Sequence, residues 1–197
     1  MGEMGPQYDH PPTEQQLANL RTLVDQTRAY AQAHWPTTAA ALADTKMHFV
    51  GIGDTAHYSS KPCREDRTAG APKPHIDPTH FGPGYDTLDW TCPESVVMRG
   101  GRLAAVMYQL PDQMGFADIP DMGGNLTQWH GHPLCFKSNN PDSDDYYRIG
   151  GVLVGNTCSG GVYRGVSPMI HVWVVSNPCG PFAGLTRSEG SCVNIDL

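Results

Sequence analysis

His130 and His132, in Thr127-Gln128-Trp129-His130-Gly131-His132-Pro133-Leu134-Cys135-Phe136, stand two residues apart inside an apolar, β-prone run. Side chains alternate between the faces of a strand, so on one continuous strand both imidazoles point the same way while Trp129, Gly131 and Pro133 turn the other. Two neutral imidazoles on one face are half of a metal site. Zinc, copper and non-haem iron accept such nitrogens at roughly 2.0–2.1 Å and take a third or fourth ligand from elsewhere in the fold. The best third candidate is His171, in Pro168-Met169-Ile170-His171-Val172-Trp173-Val174-Val175, the most strand-like segment of the chain. The competing reading of each is a core histidine held by hydrogen bonds.

A carboxylate can join them. Glu94-Ser95-Val96-Val97-Met98 and Leu103-Ala104-Ala105-Val106-Met107-Tyr108-Gln109-Leu110 flank Arg99-Gly100-Gly101-Arg102, where two glycines supply the positive φ values of a type I′ turn. A regular hairpin then pairs Met98 with Leu103, Val96 with Ala105 and Glu94 with Met107. In that register Glu94 is the one charge on an otherwise apolar face. It requires an arginine, a backbone donor or a metal as partner.

The elements that must position these groups are mostly strands. Residues 1–12 read as a polar tail. Thr13 and Gln16 form a capping-box pattern, and Leu17, Leu20, Leu23, Val24, Thr27 and Ala31 recur at helical spacing up to Pro36. A second short helix is expected from Pro36 through Ala43. Met47 to Ile52 reads as a first strand, followed by a long proline-rich region, Gly53 to Trp90, containing His57, His75 and His80. Of these three, His80 lies closest in sequence to the Glu94 hairpin and is a further candidate ligand. The run Lys137 to Asp145 holds three aspartates but lacks EF-hand spacing, and reads as a solvated loop. Gly150 to Val154 and Gly161 to Arg164 read as short strands around a turn containing Cys158. The strand at 169–175 is apolar on both faces, hence buried on both sides.

Composition narrows the setting. The chain has 197 residues, 17% of them charged, with 22 glycines, 17 prolines and a net charge of −7. One well-cored, mainly β domain is expected, a small β-barrel or β-sandwich with a helical pair packed on it. Residues 1–46 form the tail and helical cover, and 47–197 the β-rich metal-binding unit. No Lys/Arg cluster supports binding to nucleic acid, and no apolar run is long enough to span a bilayer. Six dispersed cysteines, with no C-x-x-C pair, fit disulfides better than a zinc knuckle. Their connectivity cannot be read from spacing, although a local Cys179–Cys192 loop is expected and Cys63 and Cys92 can tie down the long irregular region. A secreted or otherwise extracytoplasmic location is expected, with any signal segment removed, since the polar start lacks an apolar core.

Gly124, His130 and His132, with Pro168 and His171 further on, resemble the two motifs of the cupin family. That resemblance implies a small β-barrel holding one transition metal on three histidines and a glutamate. Here no glutamate follows His132 at the family spacing, because Pro133 to Lys137 fill that stretch, so a fourth ligand has to come from Glu94 or His80. His80-Phe81, Pro93-Glu94-Ser95, Trp129 to Phe136 and Met169 to Trp173 are also similar to a set of secreted actinobacterial proteins, which brings no assigned activity. α-Carbonic anhydrases share the His-x-His strand at a much shorter spacing to the third histidine.

These residues support two functions. The first is an extracytoplasmic metal-binding protein with a zinc, copper or iron ion on His130, His132 and His171, joined by His80 or flanked by Glu94, acting on a small substrate if a coordination position is open. Cys135 is a soft donor that would favour copper, unless it is in a disulfide. The second is a non-catalytic, disulfide-stapled β-sandwich that binds carbohydrate or protein, with the histidines packed in its core.

Overall fold

A computed structural model describes residues 8–44, 87–110, 115–131, 133–140, 148–155, 157–165 and 168–184, positions 143, 145 and 146, and strand backbone at 4–6, 47–49, 56–60 and 76–77. The strands in chain order are β1 (Met4–Pro6), β2 (Met47–Phe49), β3 (Ala56–Ser60), β4 (Ile76–Asp77), β5 (Thr87–Leu88), β6 (Ser95–Arg99), β7 (Arg102–Gln109), β8 (Gln128–His130), β9 (Pro133–Phe136), β10 (Val152–Val154), β11 (Thr157–Ser159), β12 (Val162–Gly165) and β13 (Met169–Trp173). Two helices, α1 (Glu14–His34) and α2 (Thr38–Ala43), precede most of them.

α1 forms where its sequence demands. The Thr13 side chain accepts from the Gln16 N–H while the Gln16 side chain accepts from the Thr13 N–H, which satisfies two otherwise unpaired groups. Leu20, Leu23, Val24, Thr27 and Ala31 are its buried residues, the stripe expected from their spacing. The helix ends as Trp35 N–H bonds back to the Ala31 carbonyl, just before Pro36. α2 begins two residues later than expected, because Thr37 caps it by accepting from the Ala40 N–H. Pro36 is drawn into the connector instead: its carbonyl accepts from Leu103 N–H, and Thr38 N–H donates to Gly101. The helical pair is thereby pinned to the β6–β7 turn.

Seven strands make one antiparallel sheet in the order β1-β8-β13-β7-β6-β3-β2. Among the described residues it is an open sheet with β1 and β2 at its edges, not a closed barrel. Three two-stranded ribbons, β10-β11, β12-β9 and β4-β5, complete the mainly β architecture. α1 covers one face of the sheet, where Leu20, Leu23 and Val24 pack with Val96, Met98, Val106, Tyr108, Ile170 and Val172. Under this layer Thr27 Oγ1 and the Tyr108 hydroxyl share a buried 2.7 Å hydrogen bond. The opposite face carries Val97, Ala105 and Trp173, with Ala183 folding back over them. The Trp173 indole N–H donates to the Ala183 carbonyl there.

The β6–β7 turn is the expected one: Gly100 and Gly101 have φ of 55° and 78°. The register holds only for Met98 and Leu103. A bulge then pairs Val97 with Ala105, Val96 with Val106 and Ser95 with Met107. The extra residue in β7 turns Ala105 and Met107 to the face opposite Val96 and Met98. Glu94 therefore does not share a face with them.

Three further expectations change. The 127–136 run is not one strand: β8 ends at His130, and β9 begins at Pro133 in a different sheet. Proline fits at the first position of a strand, where its missing N–H is not needed. Cys158 lies within β11 rather than in a turn, with β10 and β11 forming a hairpin of their own. The amino-terminal segment is not a loose tail, since it supplies edge strand β1, with Met4 opposite His130 and Pro6 opposite Gln128.

A candidate histidine-centred metal site

His130 and His171 are 41 residues apart in sequence and meet on the face of the sheet turned away from α1. Cross-strand partners share a face. His130 lies opposite Met169, and Met169 opposite Gln109, which makes one row across the sheet. His171 lies opposite Met107, and Met107 opposite Ser95, which makes the next. The two histidines are thus diagonal neighbours, and their ring centroids are 4.8 Å apart with planes 22° from parallel. They are 0% and 1% exposed, among the most deeply buried side chains of the protein.

Polar groups gather around this end of the sheet. Gln109, Gln128, Ser95 and Glu94 are all buried, and three of them stand on the two strands and the rows just described. Burying so many polar side chains in one place opposes stability unless they bond to one another or to a ligand. Glu94 is held by its Oε2 atom, which accepts the Gln109 backbone N–H at 3.0 Å. Of the three partners its sequence context left open, the structure shows a backbone donor. The same carboxylate lies close enough to Tyr108 to help raise that phenol's pKa, although burial is the larger cause.

The bound-metal geometry can be compared with the ring separation. At metal–nitrogen lengths near 2.0–2.1 Å the ring centre sits about 3.2 Å from the ion, so ligand angles of about 90–110° put two ring centres roughly 4.5–5.2 Å apart. The separation of 4.8 Å falls inside that interval, but the rings are stacked, so a shared ion would require one imidazole to turn out of the stack. Two imidazole nitrogens also form the donor set that zinc, copper and iron accept.

Among the described residues no group of three or more His, Cys, Asp or Glu side chains is placed to hold a metal ion. Glu94 accordingly does not close a three-donor set with His130 and His171. His132 and His80, the other candidates, lie outside the described residues. Because β8 stops at His130, strand alternation no longer places His132 on the same face as its neighbour. Cys135 is bonded to Cys158, so it offers no thiolate. Cys92 and Cys179 are also disulfide-bonded. Their expected partners, Cys63 and Cys192, lie outside the described residues.

Gln109 and Gln128 were not singled out by the sequence, though each carried a signal. Gln128 is two residues before His130, hence on its face, and Gln109 is the polar residue that closes an apolar strand. Comparison with protein-family models, with curated proteins and with solved structures returns no match.

Proposed function

We propose that this is an extracytoplasmic metal-binding protein in which His130 and His171 supply two nitrogen ligands to one transition-metal ion. His132 or His80 supplies a third; Glu94, which the bulge puts off the histidine face, is not part of the donor set. The observation that supports this reading most is the meeting of two fully buried imidazoles from distant strands, their rings stacked 4.8 Å apart. The disulfides favour an oxidising compartment over the cytosol. With Cys135 tied to Cys158, the remaining donors are imidazoles, which suit zinc and iron as well as copper. No described helix is long and apolar enough to cross a membrane.

When bound, the ion supplies Lewis acidity or, if it is copper or iron, electron exchange. The chain's own contribution is to hold the imidazoles on rigid strands and to exclude bulk water. A substrate reaching this buried pair would have to be small.

The test is metal analysis of protein purified without a nickel column. Stoichiometric metal is expected in the wild type, with His130→Ala and His171→Ala each losing it while keeping the far-ultraviolet spectrum of a folded sheet. A wild type without metal that melts at the same temperature with and without chelator would support the rival module with a packed histidine core.

A further inference from the structure

The amino-terminal segment is fastened to the loop that leads into β8, and the fastening is centred on His10. Its Nε2 atom lies 3.0 Å from Asp121 Oδ2 and its Nδ1 atom 3.0 Å from the Pro11 carbonyl oxygen. Both oxygens are acceptors only, at neutral pH. A neutral imidazole has one N–H and can serve one of them; an imidazolium serves both. The geometry therefore selects the doubly protonated ring.

Other contacts hold the same segment in place. The His10 carbonyl accepts from Asn125 N–H at 2.9 Å, and the Tyr8 hydroxyl donates to the Ile119 carbonyl at 2.6 Å. From α1, Gln16 donates to the Asp121 carbonyl at 2.9 Å. Asp121 Oδ1 in turn accepts from Gly124 N–H. Gly124 has φ of +52°, and a Cβ there would collide with the His10 carbonyl, so the approach needs glycine. Just before Tyr8, β1 lies along the outer edge of β8 with Met4 opposite His130.

We propose that the amino-terminal segment is a pH-sensitive strap: His10, when doubly protonated, latches it to Asp121 and keeps β1 on the edge of the strand that ends in His130, and deprotonation loosens it. The proposal does not depend on what His130 and His171 hold. The charged groups acting on His10 are Asp121, from the loop packed against it, and Asp9, beside it in its own segment. The Tyr8 ring lies 5.7 Å away. The Pro11 carbonyl, followed by Asp121 and Asp9, raises the His10 pKa above the ordinary 6.5, against a smaller opposing effect of burial. A raised imidazole pKa means that the latch is present in full below 6.5 and lost as pH rises through the raised value.

The test is amide hydrogen exchange at Met4, Gly5 and residues 128–130 between about pH 5 and about pH 8.5, corrected for intrinsic exchange, beside an NMR titration of His10. In the wild type, protection of these amides is expected to fall across the His10 transition while β7 stays protected. By linkage the fall cannot exceed ten to the power of the pKa difference between latched and released His10, and the titration supplies that limit independently. His10→Gln and Asp121→Asn should both remove the pH dependence and hold protection near the wild type's high-pH level. Equal wild-type protection at both ends of the range, dependence that survives in both variants, or loss shared by β7 would each overturn the strap.

Discussion

Replacing Thr27 with valine tests the layer that fixes the sheet behind the histidines. Thr27 and Tyr108 are 0% and 1% exposed and share one hydrogen bond of 2.7 Å. Valine keeps the shape of threonine, so no cavity opens, but the phenol hydroxyl is left buried without that partner. An unsatisfied buried hydroxyl costs about 1–3 kcal/mol, whereas removing both partners is nearly neutral. Thr27→Val is therefore expected to destabilise by about 2 kcal/mol. Tyr108→Phe should cost less, because a helical threonine can turn its hydroxyl to a carbonyl of the preceding turn. The double variant should recover most of the loss, giving a coupling of about 1–2 kcal/mol. Urea unfolding with the disulfides intact reads this directly: at a slope of about 2 kcal/mol per molar, the Thr27→Val midpoint falls by roughly 1 M. A neutral Thr27→Val, or a double variant as unstable as the sum of the singles, would refute the described packing of α1 on β7. The consequence reaches the site, since Met107 and Gln109 flank Tyr108 on β7 and face the histidine rows.

The same phenol gives an alkaline prediction. Burial, followed by Glu94 and Asp89, raises the Tyr108 pKa far above the ordinary 10.0, against the Thr27 hydrogen bond, which lowers it. The unfolded chain releases this proton near 10 and the folded one does not, so stability falls as pH rises above about 10. Absorbance at the phenolate band should show a step that occurs only on unfolding and that Tyr108→Phe removes. A second prediction concerns Cys135–Cys158, which closes a loop of sequence separation 23 between β9 and β11. Removing both sulfurs, as Cys135→Ala with Cys158→Ala, should cost about 3 kcal/mol by loop entropy. Hydrogen exchange should then rise over 148–165 and not in β7; a uniform rise would show that the bridge stabilises the whole sheet.

What the sequence disclosed was what local chemistry dictates. Thr13 with Gln16 marked the start of α1, its apolar spacing marked the buried stripe, and Gly100-Gly101 marked the hairpin turn, because each depends on neighbours only. His130 and His171 were legible for a related reason: imidazoles in strand-like, apolar runs must be buried with partners. The bulge at Ala104 was not legible, since a two-residue turn is compatible with either register and the choice is made by packing. Val96, Val106 and Tyr108 fill the layer under α1 only in the shifted register. That shift carried Met107 to the histidine face and took Glu94 out of the row in which it had been placed.

The break after His130 was hidden for a different reason. A β-prone run from Thr127 to Phe136 satisfies strand periodicity throughout, and nothing local says that its two halves pair with different partners. Gly131, buried and outside either strand, allows the chain to leave β13 and join β12 as β9. Had β8 continued, His130 and His132 would have stood on one face of a single strand. Instead the pair that the fold demonstrably assembles is His130 with His171, across two strands. A histidine pair built this way is sensitive to how β8 sits against β13, which among the described residues pair in register at His130 and Met169. Along the other edge of β8 runs β1. The amino-terminal strap therefore bears on the one strand whose position the histidine pair depends on most.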